Sequence, residues 1–246
     1  MNARLQTTAP QSLTLTADQS IGQIAVQLPG ATAIFRRLKL DFCCGGHLSL
    51  QQASQDKGLD AEAVMSELRA LQHPTELPAV ADASTLIDHI VTRYHDVHRN
   101  QLPELIRMAR RVEAVHRDNP DVPVGLAEHL ERMKEELNAH MRKEEAILFP
   151  ALKAGGGAFV GQPIAVMRSE HVGHGAELEK LMQLSHDATP PPGACNTWRA
   201  LYAGIAQLNE DLINHIHLEN NVLFPQFDAP QAAQTGCGSS SGCGCS

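Results

Sequence analysis

From Asp82 onward, apolar residues recur every three or four positions through four long stretches, the period of a helix with one buried face. The first carries Leu86, Ile87, Ile90, Val91 and Tyr94, then Leu102, Leu105 and Ile106, and ends before Asn119-Pro120, with Asp82 as its predicted cap. The second opens at Pro123, a residue suited to a first turn, and carries Leu126, Leu130, Met133, Leu137 and Ile147 as far as Phe149-Pro150. The third opens near Pro163 with Ile164, Met167, Leu178 and Leu181. The fourth carries Trp198, Leu201, Ile205, Leu208, Leu212 and Ile216 to Phe224-Pro225. Gly155-Gly156-Gly157 and Pro190-Pro191-Pro192-Gly193 fill two of the connections. Connections of this length make neighbours antiparallel, so the pattern predicts an all-α protein with an antiparallel four-helix bundle over residues 82–228.

Upstream, from Ser20 to about Leu71, the helical patterns are shorter and broken by turn signals. Between the second and third of them lies Asp41-Phe42-Cys43-Cys44-Gly45-Gly46, a loop by its double glycine. A small helical domain over 18–73 is expected, after a flexible leader over 1–17 and before a proline-stiffened hinge over 74–81. Residues 229–246, rich in Gly, Ser and Cys, are too polar to pack and read as a disordered tail.

Composition narrows the function. Aromatics are only 4% of residues, so the core must be aliphatic, which favours helix over sheet. The net charge of −8 comes without any basic block, which argues against a nucleic-acid surface. No apolar run approaches the ~20 residues that span a bilayer, and the N-terminus lacks a secretory core. Of the six cysteines two are adjacent, three lie in the last ten residues and one is alone, a poor disulfide framework that points to the reducing cytoplasm.

The chemistry lies in a repeat. His140 to Pro150 and His215 to Pro225 share the pattern H-x3-E-x2-[IV]-L-F-P, displaced by 75 residues, and His95 and His171 each stand one helix upstream of a copy. Residues four apart lie on one helix face, so His140 aims with Glu144 and His215 with Glu219. Leu137, Leu148, Leu212 and Leu223 flank these pairs and imply burial, and buried carboxylates need compensating charge. A pair of cations supplies it. The two glutamates can bridge the ions and the four histidines can end on one ion each, leaving room for an oxo or hydroxo bridge. Imidazole and carboxylate without thiolate suit Fe, Mn or Zn. His98 and His174, three residues from His95 and His171, are candidates for supporting or substitute ligands, with packing or solvation the plainer reading. Glu136 and Glu170 are candidates for orienting the ligands, against simple exposure. His89, His116, His129, His186 and His217 are expected to face solvent. Cys43 and Cys44 are suited to binding a soft metal or relaying it by thiol exchange, against a role as small packing residues. Cys195 reads as structural.

Taken with Arg93-Tyr94-His95-Asp96, Ser169-Glu170-His171, Pro190-Pro191-Pro192 and Leu218-Glu219-Asn220-Asn221, these motifs resemble, in order, the bacterial iron–sulfur cluster repair di-iron proteins over residues ~18–228. The resemblance implies a hemerythrin-like bundle behind a Cys-Cys-Gly-Gly domain. It also implies a non-haem di-iron centre on His95, His140, Glu144, His171, His215 and Glu219. It implies restoration of iron–sulfur clusters damaged by nitric oxide or oxidants, by a non-catalytic donation of iron. The alternatives at the same centre are a nitric oxide buffer or sensor, and nitric oxide reduction. Implied partners are nitric oxide or oxygen-derived ligands and damaged iron–sulfur proteins; a homodimer is left open. His174 and the Cys-rich tail depart from the family pattern.

Overall fold

A computed structural model of the chain describes residues 15–28, 30–71, 82–157 and 159–228. Most of the expected leader, the hinge over 74–81 and the tail with Cys237, Cys243 and Cys245 lie outside the described residues. What is described is helical.

Four short helices come first: α1 (Ile21–Gln27), α2 (Ala31–Arg37), α3 (Leu50–Asp56) and α4 (Ala61–Ala70). Ser20, Ser49 and Asp60 cap α1, α3 and α4 by accepting the orphan amides of Gln23, Gln52 and Glu62. Their apolar faces meet in a core of their own around Ile21, Ile24, Phe35, Leu50, Met65 and Leu68, which Leu15 joins.

The bundle consists of four rods. The first is α5 (Ala83–Ile90), a π turn (Val91–His95) and α6 (Asp96–Val115). The second is α7 (Leu126–Lys143), a π turn (Glu144–Leu148) and α8 (Phe149–Lys153). The third is α9 (Gly161–Leu184). The fourth is α10 (Asn196–Leu218), a π turn (Glu219–Leu223) and a 3-10 turn (Phe224–Gln226). Asp82 caps the first rod through the amides of Ser84 and Thr85. The second rod starts three residues later than the expected Pro123, because Gly125 takes a left-handed conformation (φ 84°) that ends the preceding turn.

Each rod runs through one apolar cluster, then a polar layer, then a second cluster. The larger cluster includes Leu105, Ala109, Leu130, Met133, Leu181, Trp198, Ile205 and Leu212. The smaller includes Ile87, Ile90, Leu148, Phe149, Ile164, Met167, Leu223 and Phe224. The first and third rods enter from the small cluster, the second and fourth from the large one, which is the antiparallel arrangement.

The Cys-Cys-Gly-Gly loop docks on the end of the fourth rod. The Asn221 amide donates to the carbonyls of Phe42 (3.2 Å) and Cys43 (3.3 Å), and Asn220 donates to Cys43 at 3.0 Å. Gly22 and Gly46 pack together against Asn221 Oδ1. A Cβ on Gly46 would lie 2.6 Å from the Phe42 carbonyl oxygen and 2.6 Å from Asn221 Oδ1. The Phe42 carbonyl is backbone and cannot step aside, so Gly46→Val should cost about 1–3 kcal/mol of stability. Gly173→Ala, where nothing lies within 4 Å, should cost nothing in the same melts. Equal melting of Gly46→Val and wild type would refute the tight docking.

Candidate metal centre

The polar layer between the two clusters gathers all six residues of the repeat. His95, Glu144, His215 and Glu219 form one nest and His140, Glu144, His171 and Glu219 a second, each with one donor atom per residue, all within 4.8 Å of one another. Every one of the six is at most 1% exposed. Both glutamates belong to both nests, one oxygen to each. Glu144 Oε1 lies 3.2 Å from His140 Nε2 and its Oε2 lies 3.5 Å from His95 Nε2. Glu219 Oε1 lies 3.1 Å from His215 Nε2 and its Oε2 lies 3.0 Å from His171 Nε2.

Two features of this layer fit cations. Both Glu144 oxygens and Glu219 Oε2 are buried without a hydrogen bond, a costly state for carboxylates. The imidazoles converge nitrogen to nitrogen: His95 and His215 bring their Nε2 atoms to 3.0 Å, and so do His140 and His171. Two Nε2 lone pairs facing one point are repulsive unless a proton or a cation sits between them.

The opposite ring nitrogens explain why three of the four histidines present Nε2. His95 Nδ1 meets Glu145 Oε1 at 2.6 Å, and Arg99 holds that same oxygen at 2.8 Å. His140 Nδ1 meets Glu170 Oε2 at 2.8 Å, with Lys143 paired to Glu170 behind it. His171 Nδ1 meets Asn220 Oδ1 at 2.9 Å. A hydrogen bond at Nδ1 selects the tautomer whose Nε2 is free to bind. His215 Nδ1 has no such partner. Its ring is instead stacked on Tyr94 (centroids 5.5 Å apart, 5° between planes), whose neighbour Arg93 is anchored on buried Asp211 at 2.6 Å.

The π turns deliver this geometry. All three border candidate ligand positions, His95 ending the first and Glu144 and Glu219 opening the others. An added residue in the turn re-aims the neighbouring side chains, a device found often at functional sites. Pro150 and Pro225 explain two of the three. Each follows its π turn by two residues and has no amide to continue the i to i−4 ladder, so the closing bonds run from Phe149 to Glu144 and from Phe224 to Glu219. The Phe-Pro of the repeated motif thus encodes the turn.

Charge is distributed to match. Burial pushes His95 down to about 2, and His98 and His174 down to about 3, so these rings are neutral. Burial and then Glu219 push the Glu144 carboxyl up. Burial acts on Glu219 in the same sense but is outweighed by His215 and His171, which hold it well below the usual carboxylate range. His140 runs against its own burial: Glu144, Glu219 and Glu170 raise it to about 9.

Of the other candidates, Glu170 contacts a proposed ligand directly, whereas Glu136 is exposed on the outside of α7. His98 and His174 are buried rather than solvated. His98 packs against His215 (5.5 Å) with both ring nitrogens unpartnered, and His174 lies edge-on to His140 (4.8 Å). His89 and His186 are exposed and His116 is half-buried, but the expectation of solvent fails for His129 and His217. His129 is buried between α7 and α9, with Nε2 2.9 Å from the Glu177 carbonyl. His217 is buried because the small helical unit covers a second face of α10, with Phe42 edge-on at 5.1 Å. Sequence reasoning missed Glu145, which is adjacent to Glu144 and lies off its face in a regular helix, and gave Asn220 no role.

The comparisons with known proteins agree with this layout. The Hemerythrin HHE cation binding domain matches residues 86–227, and ScdA_N, described as a domain of unknown function, matches residues 17–72. The chain is 50% identical over 211 residues to the iron–sulfur cluster repair protein YtfE of Cronobacter sakazakii, covering 85% of this chain and 96% of that protein. It is 49% identical, with the same coverage, to the proteins of that name from Citrobacter koseri and Escherichia coli O8. With a cation binding domain over the bundle and about half of 211 aligned positions identical to proteins of that name, the chain belongs to the hemerythrin-like YtfE family of iron–sulfur cluster repair proteins.

Proposed function

We propose that the chain repairs damaged iron–sulfur clusters by donating iron held in its bundle. The observation that carries this reading is the pair of buried nests sharing both carboxylates. His95 and His215 would hold one iron, His140 and His171 the other, and Glu144 and Glu219 would span the two. Bound there, iron supplies a redox-active cargo whose hold changes with its charge. The chain's own residues do the rest. Glu145, Glu170 and Asn220 keep three imidazoles in the binding tautomer, while Leu and Phe side chains on either side of the layer exclude water. Imidazole and carboxylate alone also suit Mn and Zn; iron is assigned because the relatives bear the name of iron–sulfur cluster repair proteins. The recipients are then damaged iron–sulfur proteins. Among the described residues no helix is long and apolar enough to cross a membrane, and we place this work in the cytoplasm.

A second reading rests on the ring walls. Phe149 stacks on His95 and Phe224 on His171, giving the layer an apolar lining suited to a small neutral molecule such as nitric oxide. In that reading the protein captures the gas and keeps its iron.

Purified wild type should carry about two irons per chain, as dinuclear carboxylate bundles do, and His140→Ala should lose most of them. Mixed with an iron-depleted cluster protein, loaded wild type should restore the recipient's cluster and His140→Ala should not. Exposure to nitric oxide separates the readings, since a donor releases iron and a buffer retains it. Full iron retention by His140→Ala would remove the centre as described.

A further inference from the structure

Among the described residues, one more cluster of side chains able to hold a metal stands together outside the bundle. Asp41, Cys43 and Cys44 each present a donor atom within 4.8 Å of the others. Both cysteines are free thiols, with Cys43 Sγ 3.7 Å from Cys44 Sγ. That separation is far beyond the ~2.05 Å of a disulfide. It matches the edge of a tetrahedral site: two thiolates at about 2.3 Å from one ion stand about 3.8 Å apart. Asp41 Oδ1 lies 3.2 Å from Cys43 Sγ and accepts the Cys44 amide at 2.9 Å, which fixes the carboxylate while leaving its second oxygen available.

The place of the cluster matters as much as its donors. Asp41 is exposed, Cys44 half-buried and Cys43 buried, so the site opens to solvent on one side and into the protein on the other. On the inner side it reaches His171 of the second nest twice, once at its backbone and once through Asn220. The Cys44 thiol lies 3.4 Å from the His171 carbonyl oxygen. Asn220 donates to the Cys43 carbonyl and with its Oδ1 accepts the His171 ring.

We propose that Asp41, Cys43 and Cys44 bind one thiophilic divalent cation at this junction, as the port through which cargo iron passes between the His140–His171 nest and a recipient. Binding exchanges protons for the ion: a divalent cation and two thiols give the bis-thiolate complex and two protons, with no change of oxidation state. The Cys44 side chain, and then burial, push the Cys43 thiol up. The port function rests on the iron-donor reading; the binding site does not.

Cobalt(II) is the probe, because thiolate-to-cobalt charge transfer absorbs in the near ultraviolet and imidazole or carboxylate ligation does not. Iron-loaded full-length protein titrated anaerobically with cobalt should take up one further equivalent with that absorption. Cys43→Ser and Cys44→Ser should each lose it while keeping the iron content of wild type, and Asp41→Asn should need more cobalt to reach it. Cys44 is half-exposed, so Cys44→Ser decides the matter even if the buried Cys43→Ser folds poorly. Absence of the band in wild type, or its survival in the double variant, overturns the site. If wild type holds no iron, the donor reading fails and the cobalt titration still judges the site alone. Iron transfer by Cys44→Ser as fast as by wild type would overturn the port.

Discussion

Glu144→Gln will strip most of the metal from the bundle while leaving the metal-free fold as stable as before, or more so. The carboxylate gives one oxygen to each nest, so a neutral amide weakens both positions at once. In the metal-free protein the same carboxylate is a burden, since it is fully buried, without a hydrogen bond, and shares its layer with Glu219. Burial and then Glu219 push the Glu144 carboxyl up, so its ionised form weighs on the fold at neutral pH and a neutral amide in its place should leave the protein without metal as stable or more so. His140 retains Glu170 as a partner, so the loss of Glu144 does not strand it. The check is metal content with thermal unfolding before and after chelation. Wild type should gain far more stability from metal than the variant does. A metal-free Glu144→Gln protein clearly weaker than metal-free wild type would mean that Glu144 serves an internal ion pair and not a cation.

The second large effect belongs to Asn220. Its amide holds two things at once, the His171 ring through Oδ1 and the Cys43 carbonyl through Nδ2. Asn220→Ala should lower metal affinity about 10–100-fold, the usual result of removing the group that orients a ligand. Asn220→Asp keeps the acceptor for His171 and loses the donor to Cys43, so it should recover most of the affinity while loosening the cysteine loop. Competition with a chelator measures the first property, and amide exchange over residues 41–46 the second. Glu136→Gln, on the exposed face of the same bundle, is the control and should change neither. Wild-type affinity in Asn220→Ala would show that the His171 ring is set by packing alone.

The residues of the proposed centre were legible for a local reason. A histidine and a glutamate four apart share a helix face whatever the rest of the chain does, and a second copy in the same register leaves little room for chance. The antiparallel bundle was legible from four amphipathic stretches and their connections. Of the residues that orient the imidazoles, Glu170 was legible beside His171, whereas Glu145 and Asn220 were not, because their partners come from other rods: Glu145 reaches the first rod, and Asn220 both the third rod and the cysteine loop. His217 was misread because a helix wheel assumes one buried face, whereas the small helical core covers a second face of α10. His129 was misread for a related reason, since its carbonyl partner lies on α9. The π turns left a trace in Phe149-Pro150 and Phe224-Pro225 that helical periodicity does not register. The turn before His95 has no proline and left none.

The position of the polar layer also bears on how the molecule comes apart. It divides the bundle crosswise, so the end built from Ile87, Ile90, Leu148, Phe149, Ile164 and Leu223 meets the main core only across histidines and glutamates. Cations rivet that seam. Once they leave, four imidazoles and two carboxylates are a poor adhesive, and the short end becomes a cooperative unit that frays at lower free energy than the whole fold. On the iron-donor proposal, each release would therefore loosen the short end over the emptied layer, while the larger core stays folded beneath it.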